Sequence, residues 1–267
     1  MFGLKKRRRE KVRSLPFPPE WLPIVERSVP RFRNLSETDR QELLGDIRVF
    51  LDEKRFEGCG GLALTDEIRV TIAAQACLLL LHRKNDDYPR LDSILVYPHA
   101  YRAEGKKVSP GGFIREGAET RAGESWSRGA VVLSWDDVKK SASDLRDGHN
   151  VVLHEFAHQL DQENGDADGT PPLPDRSRYT AWARVLGGEY RELVREIGKG
   201  HRTDIDPYGA LSPAEFFAVV TECFFEKPAA LRRRHPELYR QISLFYGQDP
   251  AEQGEPGFRV QGSGAQR

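Results

Sequence analysis

Cysteine is scarce: three residues in a chain of 267. That is too few for a disulfide scaffold, and the odd number suits a reducing compartment. Neither sign of charge is in excess, with 41 Lys and Arg against 41 Asp and Glu and a formal net charge of 0. The surplus of cations on which dedicated nucleic-acid binders rest is missing. Long apolar runs are missing too. Val70 to Leu81, interrupted by Thr71 and Gln75, falls well short of the roughly 20 residues needed to span a bilayer. Met1 to Glu20 is basic but has no apolar stretch of the kind a secretory signal requires. No Gly-x-x-x-x-Gly-Lys-Ser/Thr, Gly-x-Gly-x-x-Gly, Gly-x-Ser-x-Gly or Cys-x-x-Cys occurs. Common nucleotide-binding, serine-hydrolase and cysteine-cradled metal chemistries are thereby excluded. With 38% hydrophobic and 31% charged residues, the chain still buries a core. It reads as a soluble cytoplasmic protein with no membrane role.

The ends are expected to be tails. Residues 1–15 carry Lys5, Lys6, Arg7, Arg8, Arg9, Lys11 and Arg13 against Glu10 alone, and such a charge block reads as a solvated, mobile terminus. Residues 248–267, rich in Gly, Gln, Pro and Ser, read as a disordered tail. Residues 16–247 read as a single domain. Helical spacing predicts helices over Glu37–Lys54, from Thr65 as N-cap to about Arg83, over Asn150–Gln162, Tyr179–Ile197, Ser212–Glu226 and Pro236–Tyr246. Strands are predicted at Leu91–Tyr97 and Ala130–Trp135, with loop between 101 and 128 where Gly and Pro recur. Few strands among many helices give an α+β class with a small mixed sheet, as opposed to a parallel βαβ array.

One segment carries chemistry. Val151 to Asp161 contains His154-Glu155-Phe156-Ala157-His158. Four residues rotate a helix by about 400°, so the two imidazoles stack on one face, where they can share one Zn²⁺. Glu155, one step round, suits a general base acting on a water that the metal activates. Seven His and 23 Glu in the chain give a chance expectation of about 0.02 for this pattern. The bland alternative is a helix with two hydrogen-bonded histidines and a surface Glu.

An open zinc site needs a third protein ligand. The extended motif is absent, because Asp161 and Asn164 stand where its Gly and third His would be. The best source is the apolar helix from Ser212, on which Glu215 and Glu222 are seven residues apart and return to one face. Two acids on such a face need a cation partner. Ser212-x-x-Glu215 is also a capping box, which explains Glu215 but not Glu222. One carboxylate on the metal and the other on a ligand histidine would account for both, and spacing leaves the choice level.

Several further segments resemble a known family: Phe56-x-Gly58-Cys59-Gly60-Gly61-Leu62, Ile94-Leu95-Val96-Tyr97-Pro98, and Trp126-x-x-Gly129-x-Val131-Val132-Leu133-Ser134-Trp135. To these are added His154 to Asp166 around the metal motif, Asp206-x-Tyr208, and Pro213-Ala214-Glu215-x-Phe217-Ala218-Val219. The chain resembles the Mlc titration factor A family of zinc-dependent peptidases, from about Pro16 to Pro250. The resemblance implies a zincin-like core with His154, His158 and Glu215 as zinc ligands and Glu155 as catalytic base. It is also similar to the lethal-factor type of zincin, in which a Tyr seven residues before the ligand Glu assists; Tyr208 holds that place. In that arrangement Asp161 or Glu222 would orient a histidine, and the strand at Val131–Ser134 would border the cleft and pair with an extended peptide. Asp166-Ala167-Asp168-Gly169 reads as a turn, since Pro171, Pro172 and Pro174 interrupt any calcium loop.

Two functions of different class follow. One is a zinc-dependent, aminopeptidase-like peptidase acting on a peptide or protein substrate. The other is a zinc-stabilised regulatory protein that sequesters a transcriptional repressor of sugar uptake, as the resemblance implies. Nucleic-acid binding through Lys5 to Arg13 has only charge behind it.

Overall fold

The computed structural model describes residues 2–83, 88–103, 107–108, 114–115, 119–121, 123–126, 129–143 and 148–252. Helix α1 (Phe2–Arg13), α2 (Leu22–Ser28) and α3 (Glu37–Glu53) precede strand β1 (Arg55–Gly58), helix α4 (Asp66–Leu78) and strand β2 (Ser93–Tyr97). Short strands β3 (Tyr101–Ala103), β4 (Lys107–Val108), β5 (Ile114–Arg115), β6 (Glu119–Arg121) and β7 (Gly123–Trp126) lead to β8 (Ala130–Ser134). Helices α5 (Trp135–Ser143), α6 (Val151–Asp161), α7 (Arg178–Gly198), α8 (Pro213–Glu226), α9 (Pro228–Arg234) and α10 (Pro236–Tyr246) follow among the described residues.

The helices start where the side chains can satisfy the first free N–H groups. Ser36 Oγ accepts from Asp39 N for α3, and Thr65 Oγ1 from Ile68 N for α4. Asn150 Oδ1 accepts from both Val152 N and Leu153 N for α6, and Ser212 Oγ from Glu215 N for α8. Strands β1, β2 and β8 pair in parallel with Phe56, Ile94 and Val131 in register, and β7 closes the sheet antiparallel to β8. The small mixed sheet in a helix-rich fold is as expected. Its parallel grain is not: β1, α4 and β2 make one βαβ crossover. The segment between 101 and 128, expected as loop, contributes β7 to the sheet. Strands of two to four residues carry no readable period.

Both tails need correction within the described residues. Helix α1 lies along α3, where Arg9 forms a bidentate pair with Glu53 at 2.6 Å on each arm, Arg13 reaches Asp46 at 2.6 Å and Arg8 reaches Asp52 at 3.0 Å. Part of the basic run is thus paired with acids about 40 residues away in sequence. At the other end, Gln248 is buried and its amide donates to the Leu78 carbonyl, while Arg31 donates to the Pro250 carbonyl. The rest of that expected tail, 253–267, lies outside the described residues.

The core is continuous from α2 and α4 through the sheet to α8 and α10. Phe156, on the back of α6, meets Tyr88 at 4.9 Å and Phe50 at 5.7 Å between ring centroids. Phe217, on the back of α8, meets Trp182 and Phe245. Anchored from behind by aromatic rings, α6 and α8 present their polar faces to each other. Among the described residues no helix is long and apolar enough to cross a membrane.

Candidate metal centre

On α6, His154 and His158 stack as their spacing requires, with ring centroids 4.9 Å apart. Helix α8 supplies the third group: Glu215 Oε2 lies 3.0 Å from His154 Nε2 and 3.3 Å from His158 Nε2. One donor atom from each of the three falls within 4.8 Å of the others, and all three side chains are half-buried. Two imidazole nitrogens and one carboxylate oxygen, reachable from solvent, make a donor set that fits a divalent transition metal with a position left for water.

Glu222 does something different. Its Oε1 accepts the His154 Nδ1–H at 2.7 Å, and its Oε2 accepts the Asn150 backbone N–H. Fixing the proton on Nδ1 leaves the Nε2 lone pair to face the centre, as a ligand histidine requires. Burial disfavours charge on both His154 and Glu215. For His154 this is outweighed by the hydrogen bonds to Glu215 and Glu222, which raise its pKa well above the usual histidine value, so a metal ion would have to displace the Nε2 proton on binding. For Glu215 it is outweighed by the hydrogen bonds to His154 and His158, which hold the carboxyl far below its usual range. Glu215 is thus ionised, as a ligand must be.

Glu155 is buried beside this group, one step round α6. Tyr208 stands on a 3-10 turn, Pro207–Ala210, that Asp206 caps by accepting the Tyr208 N–H at 2.7 Å. Its ring centroid is 5.8 Å from that of His154 and its side chain is exposed. The second oxygen of Asp206 reaches His149 at 3.3 Å, a pairing that sequence reading missed because no spacing rule links 149 to 206. Asp161 is brought to the end of the ligand face but orients no histidine. Its Oδ2 accepts the Gly169 N–H at 2.8 Å, and burial pushes its carboxyl up to about 6. Residues 164–170 form the expected turn, with Asn164 and Asp168 accepting backbone N–H groups two residues on.

A second group of possible ligands, Asp39, Glu42 and His82, also converges. Here the ring is already accounted for: Nδ1 donates to the Gly247 carbonyl at 2.8 Å and Nε2 meets Asp39 at 2.7 Å.

Comparison with known proteins decides the family. The family model for glucose-regulated metallo-peptidase M90 matches residues 4–247. The chain belongs to the M90 metallopeptidase family. Mlc titration factor A of Serratia proteamaculans is 35% identical over 226 residues, 84% of this chain and 85% of that one. Mlc titration factor A of Klebsiella pneumoniae is 33% identical over 239 residues, 88% of this chain and 89% of that one. The uncharacterized protein slr2042 of Synechocystis is 45% identical over 237 residues, covering 88% and 86%. The M90 match begins at residue 4, whereas the resemblance read from sequence motifs began near Pro16. Helix α1 falls inside the M90 match, in agreement with its packing on α3. As a metallopeptidase of this family, the chain has in His154, His158 and Glu215 its candidate metal-holding group.

Proposed function

We propose that this M90 metallopeptidase is a zinc-dependent, aminopeptidase-like hydrolase of peptide bonds, with a zincin-like centre formed by His154, His158 and Glu215. The observation that carries this reading is the convergence of the two Nε2 atoms with Glu215 Oε2, with Glu155 buried alongside. A zinc ion held there would supply Lewis acidity, lowering the pKa of water and polarising the scissile carbonyl. Glu155 takes the proton of the attacking water and passes it to the departing amine, so that the exchange balances. Tyr208 donates its phenol hydrogen to the oxyanion that develops on the carbonyl. Glu222 keeps His154 in the ligand tautomer.

An extended substrate would add along the outer edge of the sheet. Of the two edge strands, β1 and β7, it is β7 that packs against α6, whereas β8, the strand expected to pair, is hydrogen-bonded on both sides. The relatives are named Mlc titration factor A, and this supports a second role of the same chain: binding of an Mlc-type transcriptional repressor in the cytoplasm. None of Cys59, Cys77 and Cys223 is in a disulfide, which suits that compartment.

The test compares wild type with Glu155→Gln for metal content, peptide hydrolysis and repressor binding. Wild type should hold about one zinc per chain and lose turnover on chelation. Glu155→Gln should keep the zinc and the repressor while turnover is abolished. Substrates with a free α-amine should be cleaved in preference to N-blocked ones. Hydrolysis indifferent to both chelator and substitution would sink the peptidase reading.

A further inference from the structure

Gly169 is gripped from three directions. Its N–H donates to Asp161 Oδ2 at 2.8 Å, and its carbonyl accepts from Trp182 Nε1 on α7 at 3.1 Å. Its backbone has φ +77°, and a Cβ there would collide with the Pro213 carbonyl. Pro213 opens α8 and stands two residues before Glu215, whose own N–H is tied to Ser212 Oγ at 3.1 Å. Asp161 is the last residue of α6 and fully buried. It lies seven residues after His154 and three after His158, on the ligand face of the helix. The end of the helix that carries both histidines is therefore linked, through one glycine, to the start of the helix that carries the glutamate.

We propose that Asp161 and Gly169 are positioning residues that set the separation of α6 and α8, and so hold Glu215 at the reach of His154 and His158. This rests on the metal-centre reading above. The physical requirement is strict, because three donors on two helices bind one ion only if the helices keep their distance, and a shift of about 1 Å in a reacting constellation can cost about 100-fold in rate. A negative oxygen accepting a backbone N–H in a buried place is a strong, directional tie. A glycine with a positive φ against a carbonyl allows the closest approach of turn and helix. No contact between Asp161 and the ion or substrate is involved; its effect passes through the turn.

The experiment measures zinc affinity by chelator competition, together with kcat and KM, on folded protein. Asp161→Ala and Gly169→Ala should each weaken zinc affinity about 10–100-fold, with kcat lowered and KM little changed. Asp161→Asn keeps an oxygen for the Gly169 N–H and should restore most of the affinity. Trp182→Phe keeps a ring in the core and removes only the donor to the Gly169 carbonyl; a loss of about 2–5-fold is expected, so the inference can be read even where the Ala variants fail to fold. Val25→Ala, a buried change on α2, should lower Tm without moving zinc affinity. Wild type that binds no zinc would overturn the metal-centre reading and this inference together. Wild type that binds zinc, with Trp182→Phe and every folded variant at Asp161 and Gly169 equal to it, would overturn this inference alone.

Discussion

Glu215 and Glu222 share one face of α8, yet one meets both histidines through Nε2 and the other meets only His154, through Nδ1. On the proposed reading, the first contact belongs to a metal ligand and the second to a group that orients a ring. Glu215→Gln should therefore lose most of the bound zinc, whereas Glu222→Gln should retain it with affinity weakened about 10–100-fold. Ser212→Ala is the control for the capping role of the same helix start, expected to cost about 1 kcal/mol of stability without displacing zinc. Metal analysis after dialysis separates the cases, and full zinc in Glu215→Gln with loss in Glu222→Gln would reverse the assignment. Tyr208 is judged by rate instead. Tyr208→Phe should lower kcat about 10–1,000-fold with zinc retained, while reduced stability at unchanged kcat would make it a packing residue. The choice between the two glutamates was not readable from spacing alone, because seven residues bring both back to the same side. What separates them is their height along α8 against α6, a property of packing between distant segments. The two histidines, by contrast, needed only the turn of their own helix to be found.

At the scale of elements, apolar period and caps located most of the long helices to within a residue or two. Asn150, Ser212 and Thr65 do cap α6, α8 and α4. Strand β1 escaped notice because Arg55-Phe56-Glu57-Gly58 has a single apolar side chain, and none of its residues is buried. Its place is fixed by pairing to β2 instead of by burial. A junction between elements was equally silent in the sequence: His82, at φ +66°, joins the C-terminal end of α10 through Gly247 to the first turn of α3 through Asp39. Burial lowers the pKa of this histidine, but hydrogen bonds to Asp39 and Gly247 raise it further, and the net shift is upward. A histidine whose folded pKa exceeds its unfolded value of about 6.5 stabilises the fold fully below that value. The contribution is lost as pH rises through the folded pKa. Asn tolerates positive φ, so His82→Asn should preserve the backbone and remove the titration. The stability gap between wild type and His82→Asn, from urea melts, should be larger at pH 6 than at pH 9; a gap independent of pH would show that the ring acts only by packing.

For the whole molecule, the basic N-terminus matters most, because it was expected to be solvated and is instead a helix within the M90 match. Seven cations against one acid look unpartnered along the sequence. Four of them, Lys5, Arg8, Arg9 and Arg13, find Glu53, Asp52 and Asp46 on α3. Charge attraction across the fold thus makes a helix of a segment whose local composition favours solvation. Gly45 assists, since the Arg13 side chain crosses α3 with Cγ 3.3 Å from where a Cβ at that position would stand. The remaining Lys6, Arg7 and Lys11 are exposed. Deleting residues 1–14 should lower stability by about 1–3 kcal/mol, since hydrogen-bonded charge pairs are lost but the acids left behind become hydrated. The loss should shrink in about 1 M salt, where the screening length falls to about 3 Å. Zinc content and kcat should be unchanged, because α1 contributes no group to the metal centre, and affinity for DNA or RNA should not move. Urea melts at low and high salt read the outcome. A truncated chain as stable as the full one would mean that α1 is carried by α3 without supporting it.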